Sequence, residues 1–301
     1  MIHNLVLSGG SIKGFSFIGV MTYLQEHGLL SHVHHIIGTS AGSILAFMIC
    51  LGMTIAECKV GLTDVMQSYA KKEVDIDNIL NIYNTLGIDN GAFLWNQLSK
   101  MLYNKRKVRD ITFRELAQTC GNHLVICASD ILHAKTEYFS VDTTPELSVL
   151  TAIRASIAIP IIMCPVVINE KYYVDGGVFN NFPIEYFDRE TKPFCDTIGI
   201  VIKNIKSKDA PFDRLNLVSY IGKLVDAMCV KLNDKIPKEK NNHIVEIAYV
   251  DEDPYDFDLA NFQFNLDQKM LDRYEKHGYE CAKAQLAAYT EKKAMFPTVS
   301  E

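Results

Sequence analysis

The chain has 301 residues, of which 48% are hydrophobic and 22% are charged. That composition is typical of a globular protein with enough apolar residues for one large core. The net charge of −6 and the lack of a broad basic stretch argue against a nucleic-acid-binding protein. The eight cysteines show no C-x-x-C spacing and most have apolar neighbours, which indicates free thiols in a reducing compartment.

Two units of strand, glycine turn and helix begin the chain. The first is a strand over Leu5–Leu7 followed by a helix from Gly14 to Gln25, where the apolar residues recur at helical spacing. The second is a strand over Val33–Ile37 followed by an almost wholly apolar helix over Ala41–Leu51. This rhythm predicts an α/β protein with a mostly parallel central sheet that is covered by helices on both faces.

The remainder of the chain continues as one domain. Residues 54–120 are mostly helical by pattern and form an insertion after the second unit, with a capping-box sequence from Thr112 to Glu115. Further strands are predicted at 122–129, 136–141, 197–202 and 245–250, and further helices at about 213–233 and 266–291. We therefore divide the chain into a catalytic core over 1–205 and C-terminal helices with a late strand over 206–301, packed on the same domain.

The N-terminus shows no basic segment leading into a long apolar stretch, and Ile44–Met53 is shorter than the roughly 20 residues that span a bilayer. We expect a cytoplasmic protein without a signal peptide or transmembrane segment. Two short basic clusters leave contact with a membrane surface open, because they either meet anionic headgroups or are ordinary solvated ends. They are Lys105, Arg106, Lys107 and Arg109, and Lys231, Lys235, Lys238 and Lys240.

The sequence Gly38-Thr39-Ser40-Ala41-Gly42 matches G-x-S-x-G between a predicted strand and a predicted helix. A serine hydroxyl needs exposure, orientation and a neighbouring base before it becomes a nucleophile. Flanking glycines permit the tight turn that presents such a serine at its apex, with a helix N-terminus behind it. The motif alone is weak evidence, but its context favours Ser40 as a nucleophile over an ordinary turn.

A glycine-rich loop, Gly9-Gly10-Ser11-Ile12-Lys13-Gly14, also connects a strand to a helix. Its backbone N–H groups would form a concave site for an oxyanion, and Lys13 adds a positive charge. A dinucleotide loop is excluded because Ser11 replaces its second glycine, and a phosphate-binding loop because Phe15 follows Gly14. By itself the loop is also compatible with an ordinary tight turn.

Asp175 ends the strand-like run Lys171–Val174 and is followed by Gly176 and Gly177. The glycines would let the backbone bend and bring the carboxylate against another loop. The alternative is an Asx-turn that closes a hairpin with Val166–Ile168. Local sequence favours the turn, and only the combination with the other two motifs makes Asp175 a candidate base.

Together, these three motifs resemble the patatin-like phospholipase family, in the family's order and at plausible spacing. The resemblance covers about residues 3–205 and includes Arg154–Pro160, Cys164–Val166 and Tyr173–Pro183, whereas the last third matches no motif. It implies a three-layer α/β/α sandwich with a helical insertion after the nucleophile helix.

The resemblance also implies a mechanism. Ser40 would attack the ester carbonyl of an acyl lipid, and Asp175 would accept the hydroxyl proton directly. An acyl-enzyme would follow, with the oxyanion held by the loop residues. Those are Gly9, Gly10, Ser11, Lys13 and Gly14, with Gly38 and Gly42 in the elbow and Gly176 and Gly177 in the base motif. This chemistry needs no metal or other cofactor, and its substrates are phospholipids or other acyl lipids at a membrane or micelle surface.

One departure concerns Ser11, which stands where the family usually has a third glycine. If the backbone needs a positive φ there, we expect a strained or shifted loop and lower activity. Two other functions therefore stay open: a non-catalytic lipid-binding protein of the same fold, or transfer of the acyl group to an acceptor other than water. An α/β-hydrolase with a Ser-Asp-His triad would need a late histidine, for which His243 and His277 are the candidates.

The apolar residues of the helical insertion over 76–103 would either form a lid or interfacial surface or lie in the core. They are Ile76, Ile79, Leu80, Ile82, Tyr83, Phe93, Leu94 and Trp95.

Overall fold

The computed structural model describes residues 2–70, 82–190, 197–205, 244–250, 257–258, 263–264 and 266–295. The strands are β1 Asn4–Leu7, β2 His35–Thr39, β3 Gly87–Asp89, β4 His123–Asp130, β5 Lys135–Ser140, β6 Ile161–Met163, β7 Val166–Ile168, β8 Lys171–Asp175, β9 Thr197–Ile205, β10 Ile244–Val250, β11 Phe257–Asp258 and β12 Gln263–Phe264. The helices are α1 Ser16–Glu26, α2 Ala41–Cys50, α3 Ile55–Ala70, α4 Ile82–Thr85, α5 Ala92–Arg106, α6 Phe113–Cys120, α7 Val149–Ser156 and α8 Gln268–Met295. Short 3₁₀ segments cover Ser11–Phe15, Gly176–Val178 and Ile184–Glu190.

The central sheet has the strand order β10-β9-β1-β2-β4-β8-β7, and β5 also pairs with β4. The first five strands are parallel to one another, whereas β5 and β8 run antiparallel to β4, and β7 is antiparallel to β8. Because parallel strands end at the same edge, the loops that follow β1 and β2 lie next to each other. This edge carries the candidate site.

Alternate residues of the central strands pack on opposite faces of the sheet. Leu5, Leu7 and Ile36 belong to the larger apolar cluster, with the helices that follow β1 and β2. Val6 and Ile37 belong to a second cluster. In the described part of the chain, that second face is covered by the segment after β8, through Phe182, Ile184 and Phe187. Burial on both faces explains why these strands are almost wholly apolar.

The C-terminal helix α8 packs against α1 with the two backbones in contact. A Cβ on Gly19 of α1 would lie 1.9 Å from the carbonyl oxygen of Glu275. A Cβ on Gly278 of α8 would lie 1.9 Å from the carbonyl oxygen of Ser16. Both positions therefore require glycine. The late strand β10 pairs with β9 in the central sheet, and both β10 and α8 contribute side chains to the larger apolar cluster.

The predicted α/β fold with a mostly parallel sheet flanked by helices is confirmed. The capping box at Thr112 is present, since its hydroxyl accepts from the Glu115 N–H and the Glu115 side chain accepts from the Thr112 N–H. One helix was not predicted: α7, over Val149–Ser156, follows the capping residue Ser148. The helix predicted at about 213–233 lies outside the described residues.

Candidate active site

Ser40 occupies a strained turn between β2 and α2. Its φ of 50° and ψ of −122° lie outside the regions that non-glycine residues favour. The two glycines of the motif make this turn sterically possible: a Cβ on Gly38 would lie 2.5 Å from the Gly42 carbonyl oxygen, and one on Gly42 would lie 2.5 Å from that of Leu7. Since α2 begins at Ala41, the positive end of its dipole faces the serine.

The Ser40 hydroxyl donates a hydrogen bond to Oδ2 of Asp175 over 2.7 Å. Sheet register produces this contact. Thr39 at the end of β2 pairs with Cys127 of β4, and the next residue of β4, Ala128, pairs with Asp175 at the end of β8. Both side chains are nearly buried, with Ser40 8% and Asp175 4% exposed. The structure thus brings together the serine and the carboxylate that the sequence singled out.

The second carboxylate oxygen of Asp175 stabilises the turn that follows β8, because the Gly177 N–H donates to Oδ1 over 2.7 Å. The base and the Asx-turn that the sequence offered as alternatives are therefore compatible. Burial raises the pKa of Asp175 to about 6, while the hydrogen bonds from Ser40 and Gly177 act in the opposite direction. A carboxylate with a pKa in this range accepts a proton at neutral pH more readily than an ordinary aspartate.

The glycine loop lies against the serine. A Cβ on Gly9 would be 3.2 Å from the Cβ of Ser40 and 2.3 Å from Oδ1 of Asn181, so no side chain fits there. The Gly9 N–H donates to the Asn181 carbonyl oxygen over 3.1 Å. Gly14 approaches the start of α2, where its Cβ would lie 2.8 Å from that of Ala41. Close packing of the loop thus explains these two glycines.

Ser11 has a φ of +49°, in the left-handed region where glycine is favoured. A positive φ at Ser11 is the condition under which we expect a strained loop, so the loop carries local strain. Across the described residues, the N–H groups of Gly10 and Ser11 donate to no protein atom. Lys13 directs its ammonium over the ring of Tyr249, 5.2 Å from the ring centroid.

Three residues that the motifs do not single out form hydrogen bonds with Ser40 or with the glycine loop. Ser156 accepts a hydrogen bond from the Ser40 N–H over 2.8 Å. Ser43 donates its hydroxyl to the Ser40 carbonyl oxygen over 2.6 Å. Asn181 accepts from the N–H of Gly9. Ser156 and Asn181 do fall within the stretches that resemble the family, which was the available signal.

No histidine takes part in the described interactions of Ser40 or Asp175. His277 lies on α8, and its Nε2 is 2.9 Å from the carbonyl oxygen of Ala248 in β10. His243, the other candidate for a triad, lies outside the described residues. The described geometry therefore offers a carboxylate, and no imidazole, to the Ser40 hydroxyl.

The described part of the chain holds no cluster of three or more histidine, cysteine, aspartate or glutamate side chains that would bind a metal ion. Within the same ranges, no helix combines the length and the apolar character needed to cross a bilayer.

Of the residues considered for a lid, Ile76, Ile79 and Leu80 lie outside the described ranges. Tyr83 is 90% exposed, whereas Leu94 is buried.

Residues 5–188 match the model of the patatin-like phospholipase family. Over 208 residues, the chain is 31% identical to a probable lipid hydrolase of Invertebrate iridescent virus 6, covering 64% of this chain and 67% of that protein. It is 30% identical over 189 residues to triacylglycerol lipase ptl2 of Schizosaccharomyces pombe, which covers 61% of this chain but only 28% of the lipase. The chain belongs to the patatin-like phospholipase family.

Solved structures show the same fold. VipD from Legionella pneumophila superposes with a TM-score of 0.58 at 16% identity, covering 95% of this chain and 67% of VipD. ExoU of Pseudomonas aeruginosa, in its complex with SpcU, superposes with a TM-score of 0.51 at 17% identity, covering 96% of this chain and 52% of ExoU. This chain thus spans about half the length of ExoU. The family to which the chain belongs is a family of lipid hydrolases.

Proposed function

We propose that this chain is a serine hydrolase of acyl lipids, of phospholipase A type, in which Ser40 and Asp175 form a catalytic dyad. The observation that carries the proposal is the 2.7 Å hydrogen bond from the Ser40 hydroxyl to the buried Asp175 carboxylate. Ser40 attacks the ester carbonyl carbon while its proton passes to Asp175. The carbonyl oxygen becomes an oxyanion, and the resulting tetrahedral intermediate is the species that the glycine loop stabilises.

We assign the oxyanion site to the N–H groups of Gly10 and Ser11. Support comes from their lack of a protein acceptor in the described ranges and from the approach of Gly9 to Ser40. The N–H groups of Gly9 and Ser40 already donate to Asn181 and Ser156. Collapse of the intermediate releases the alcohol, which takes the proton from Asp175 and leaves an acyl group on Ser40.

Water completes the cycle. Asp175 accepts a proton from a water molecule, whose oxygen attacks the acyl carbon of the ester on Ser40. The second tetrahedral intermediate collapses to a fatty acid, and the proton returns from Asp175 to the Ser40 oxygen. The same carboxylate thus acts as base in both halves of the reaction, so the protein is unchanged after one turnover.

We place the contact with the lipid surface beside β8, the strand that ends at Asp175. Four exposed apolar residues, the apolar rim, lie there on the β7–β8 hairpin and the β4–β5 turn. They are Ile131, Leu132, Val167 and Tyr172, and they are between 37% and 59% exposed. Val167 pairs with Tyr172, and the Ile131 N–H donates to the Tyr172 carbonyl oxygen over 3.1 Å. Tyr172 precedes Asp175 by three residues, or about 10 Å of strand.

The basic cluster at Lys105–Arg109 is a weaker candidate for this contact. Its Arg106 guanidinium donates to the carbonyl oxygen of Leu51, beyond the C-terminal end of α2. Ser40 precedes the N-terminus of the same helix, so about 15 Å of helix separates the two. Lys105 is also paired with Glu57 at 3.0 Å. The second basic cluster lies outside the described residues.

The deciding experiment measures fatty acid release from mixed phospholipid and triacylglycerol micelles in the presence of EDTA. We expect Ser40→Ala and Asp175→Asn each to lower kcat by more than about 1000-fold. His277→Ala is the matched control and should retain activity, because its imidazole bonds the β10 backbone. Loss of activity in a folded His277→Ala protein would favour a triad. Absence of turnover by the unmodified chain would favour lipid binding without catalysis.

A further inference from the structure

Ser156, the last residue of α7, has a buried hydroxyl that the reaction above does not use. Its side chain is 0% exposed. Its Oγ accepts a hydrogen bond from the Ser40 N–H over 2.8 Å and donates one to the Cys127 carbonyl oxygen over 2.6 Å. The hydroxyl therefore ties the backbone of the nucleophile to the neighbouring strand β4.

The same short segment also holds the base. Two residues after Ser156, the carbonyl oxygen of Ala158 accepts a hydrogen bond from the Asp175 N–H over 2.8 Å. Residues 156–158, the bridge segment, thus bind the backbone N–H groups of both members of the pair. Ser40 and Asp175 are 135 positions apart in sequence. The buried bridge segment therefore fixes the backbones of these two distant residues relative to each other.

We propose that Ser156 is a positioning residue that sets the geometry of the Ser40–Asp175 pair. The inference rests on the proposed function, because it concerns the same dyad. A residue with the backbone angles of Ser40 keeps them only where its surroundings enforce them. The hydrogen bond from the Ser40 N–H to Ser156 supplies one such constraint at the nucleophile itself.

Loss of the Ser156 hydroxyl would leave the Ser40 N–H and the Cys127 carbonyl oxygen without their partner. The Ser40 turn would then relax, and its Oγ would move away from Asp175. Because the hydrogen bond from Ser40 lowers the pKa of Asp175, that pKa would rise further. Among the described residues, the Gly177 N–H also donates to this carboxylate, and Cys127 interacts with it electrostatically. Burial keeps the Cys127 thiol neutral by raising its pKa.

The test compares Ser156→Ala with Ser156→Thr, which keeps the hydroxyl. A short-chain water-soluble ester serves as substrate, so that binding to a lipid surface does not enter. We expect Ser156→Ala to lower kcat by about 10- to 100-fold with KM within about threefold, as for a misplaced catalytic group. The acid limb of its pH–rate profile should move to higher pH, and Ser156→Thr should recover most of the lost kcat.

Ser99→Ala is the matched control. Ser99 is also a buried serine, and it donates its hydroxyl to the Arg109 carbonyl oxygen over 2.6 Å, outside the candidate active site. We expect this variant to lose thermal stability without a change in kcat or in the pH profile. A purely structural role for Ser156 would give the same pattern as Ser99→Ala.

A folded Ser156→Ala protein with kcat within twofold of the unmodified chain and an unmoved acid limb would overturn the inference. If Ser156→Ala does not fold, Ser156→Cys replaces it, because a thiol is a poor acceptor of similar size; unchanged kcat there has the same meaning. Reaction of Ser40 with an alkyl fluorophosphonate separates the two hypotheses. An unreactive unmodified chain contradicts the dyad itself, whereas equal rates for it and Ser156→Ala contradict only the role of Ser156.

Discussion

One carboxylate oxygen of Asp175 contacts the Ser40 hydroxyl, and the other stabilises the turn that follows Asp175. The Ser40 hydroxyl donates to Oδ2 and the Gly177 N–H donates to Oδ1, each over 2.7 Å. Because both oxygens are engaged, the carboxylate is fixed in orientation toward the hydroxyl. Such fixed geometry favours direct proton transfer from the serine to the carboxylate. The rate of the reaction should then depend on the ionisation of Asp175.

We expect kcat/KM to rise with pH and to level off above an apparent pKa near 6. The base must be ionised, and burial raises the pKa of Asp175 to about 6. Below that pH the carboxyl is protonated and cannot accept the Ser40 proton. The measurement is a pH–rate profile on a soluble ester, with thermal melts across the same range to exclude unfolding. An acid limb near the ordinary aspartate value of about 4 would contradict the assignment of a buried base.

Substitution of Ser11 tests the strain in the glycine loop. Ser11→Gly removes the side chain from a residue with a φ of +49°, so we expect equal or higher kcat. The free energy of unfolding should change by less than about 1 kcal/mol, because relief of strain is offset by the entropy of the glycine. Ser11→Val, which is β-branched, should lower both kcat and stability. Equal kcat for Ser11→Val and Ser11→Gly would show that strain in the loop does not set the rate.

The apolar rim should matter for aggregated substrate only. Replacing Val167 and Tyr172 together by aspartate places two charges where apolar side chains would meet lipid. We expect about a 10-fold or larger loss of activity on micelles, with little change on a soluble ester. Val60→Asp is the control, since Val60 of α3 is 61% exposed and lies outside the rim. Equal losses on both substrates would indicate damage to the site instead of lost surface contact.

The crossing of α1 and α8 predicts a sharp difference between two glycine substitutions. Gly278→Ala should lower the free energy of unfolding by more than about 2 kcal/mol, because the added Cβ would lie 1.9 Å from the Ser16 carbonyl oxygen. Gly61→Ala in α3 should be neutral or stabilising by up to about 1 kcal/mol. The atoms nearest to its Cβ would be the ends of flexible methionine side chains, at 3.1 Å for Met101 and 3.3 Å for Met48. Urea denaturation of both variants provides the comparison; similar stabilities would contradict the close crossing.

Much of the fold was predictable because its signals are local. The strands and helices of the first two units follow from apolar runs bounded by glycine, and Thr112 caps α6 as the capping-box sequence predicted. Helix α7 was missed because it has only eight residues and contains β-branched Val149, Thr151 and Ile153, which are poor helix formers. Its best signal is the capping serine Ser148, which accepts from the N–H of Thr151.

The sequence by itself determined the candidate site residues: the serine at a glycine turn, the aspartate before two glycines and the glycine loop after the first strand. Local spacing carries that information. Only the tertiary structure decided that Ser40 and Asp175 meet, since their contact depends on the pairing of β2 and β8 with the intervening strand β4. It also decided the φ of Ser11 and the contact of Ser156 with the Ser40 N–H. Those features depend on packing between segments far apart in the chain, which no local pattern encodes.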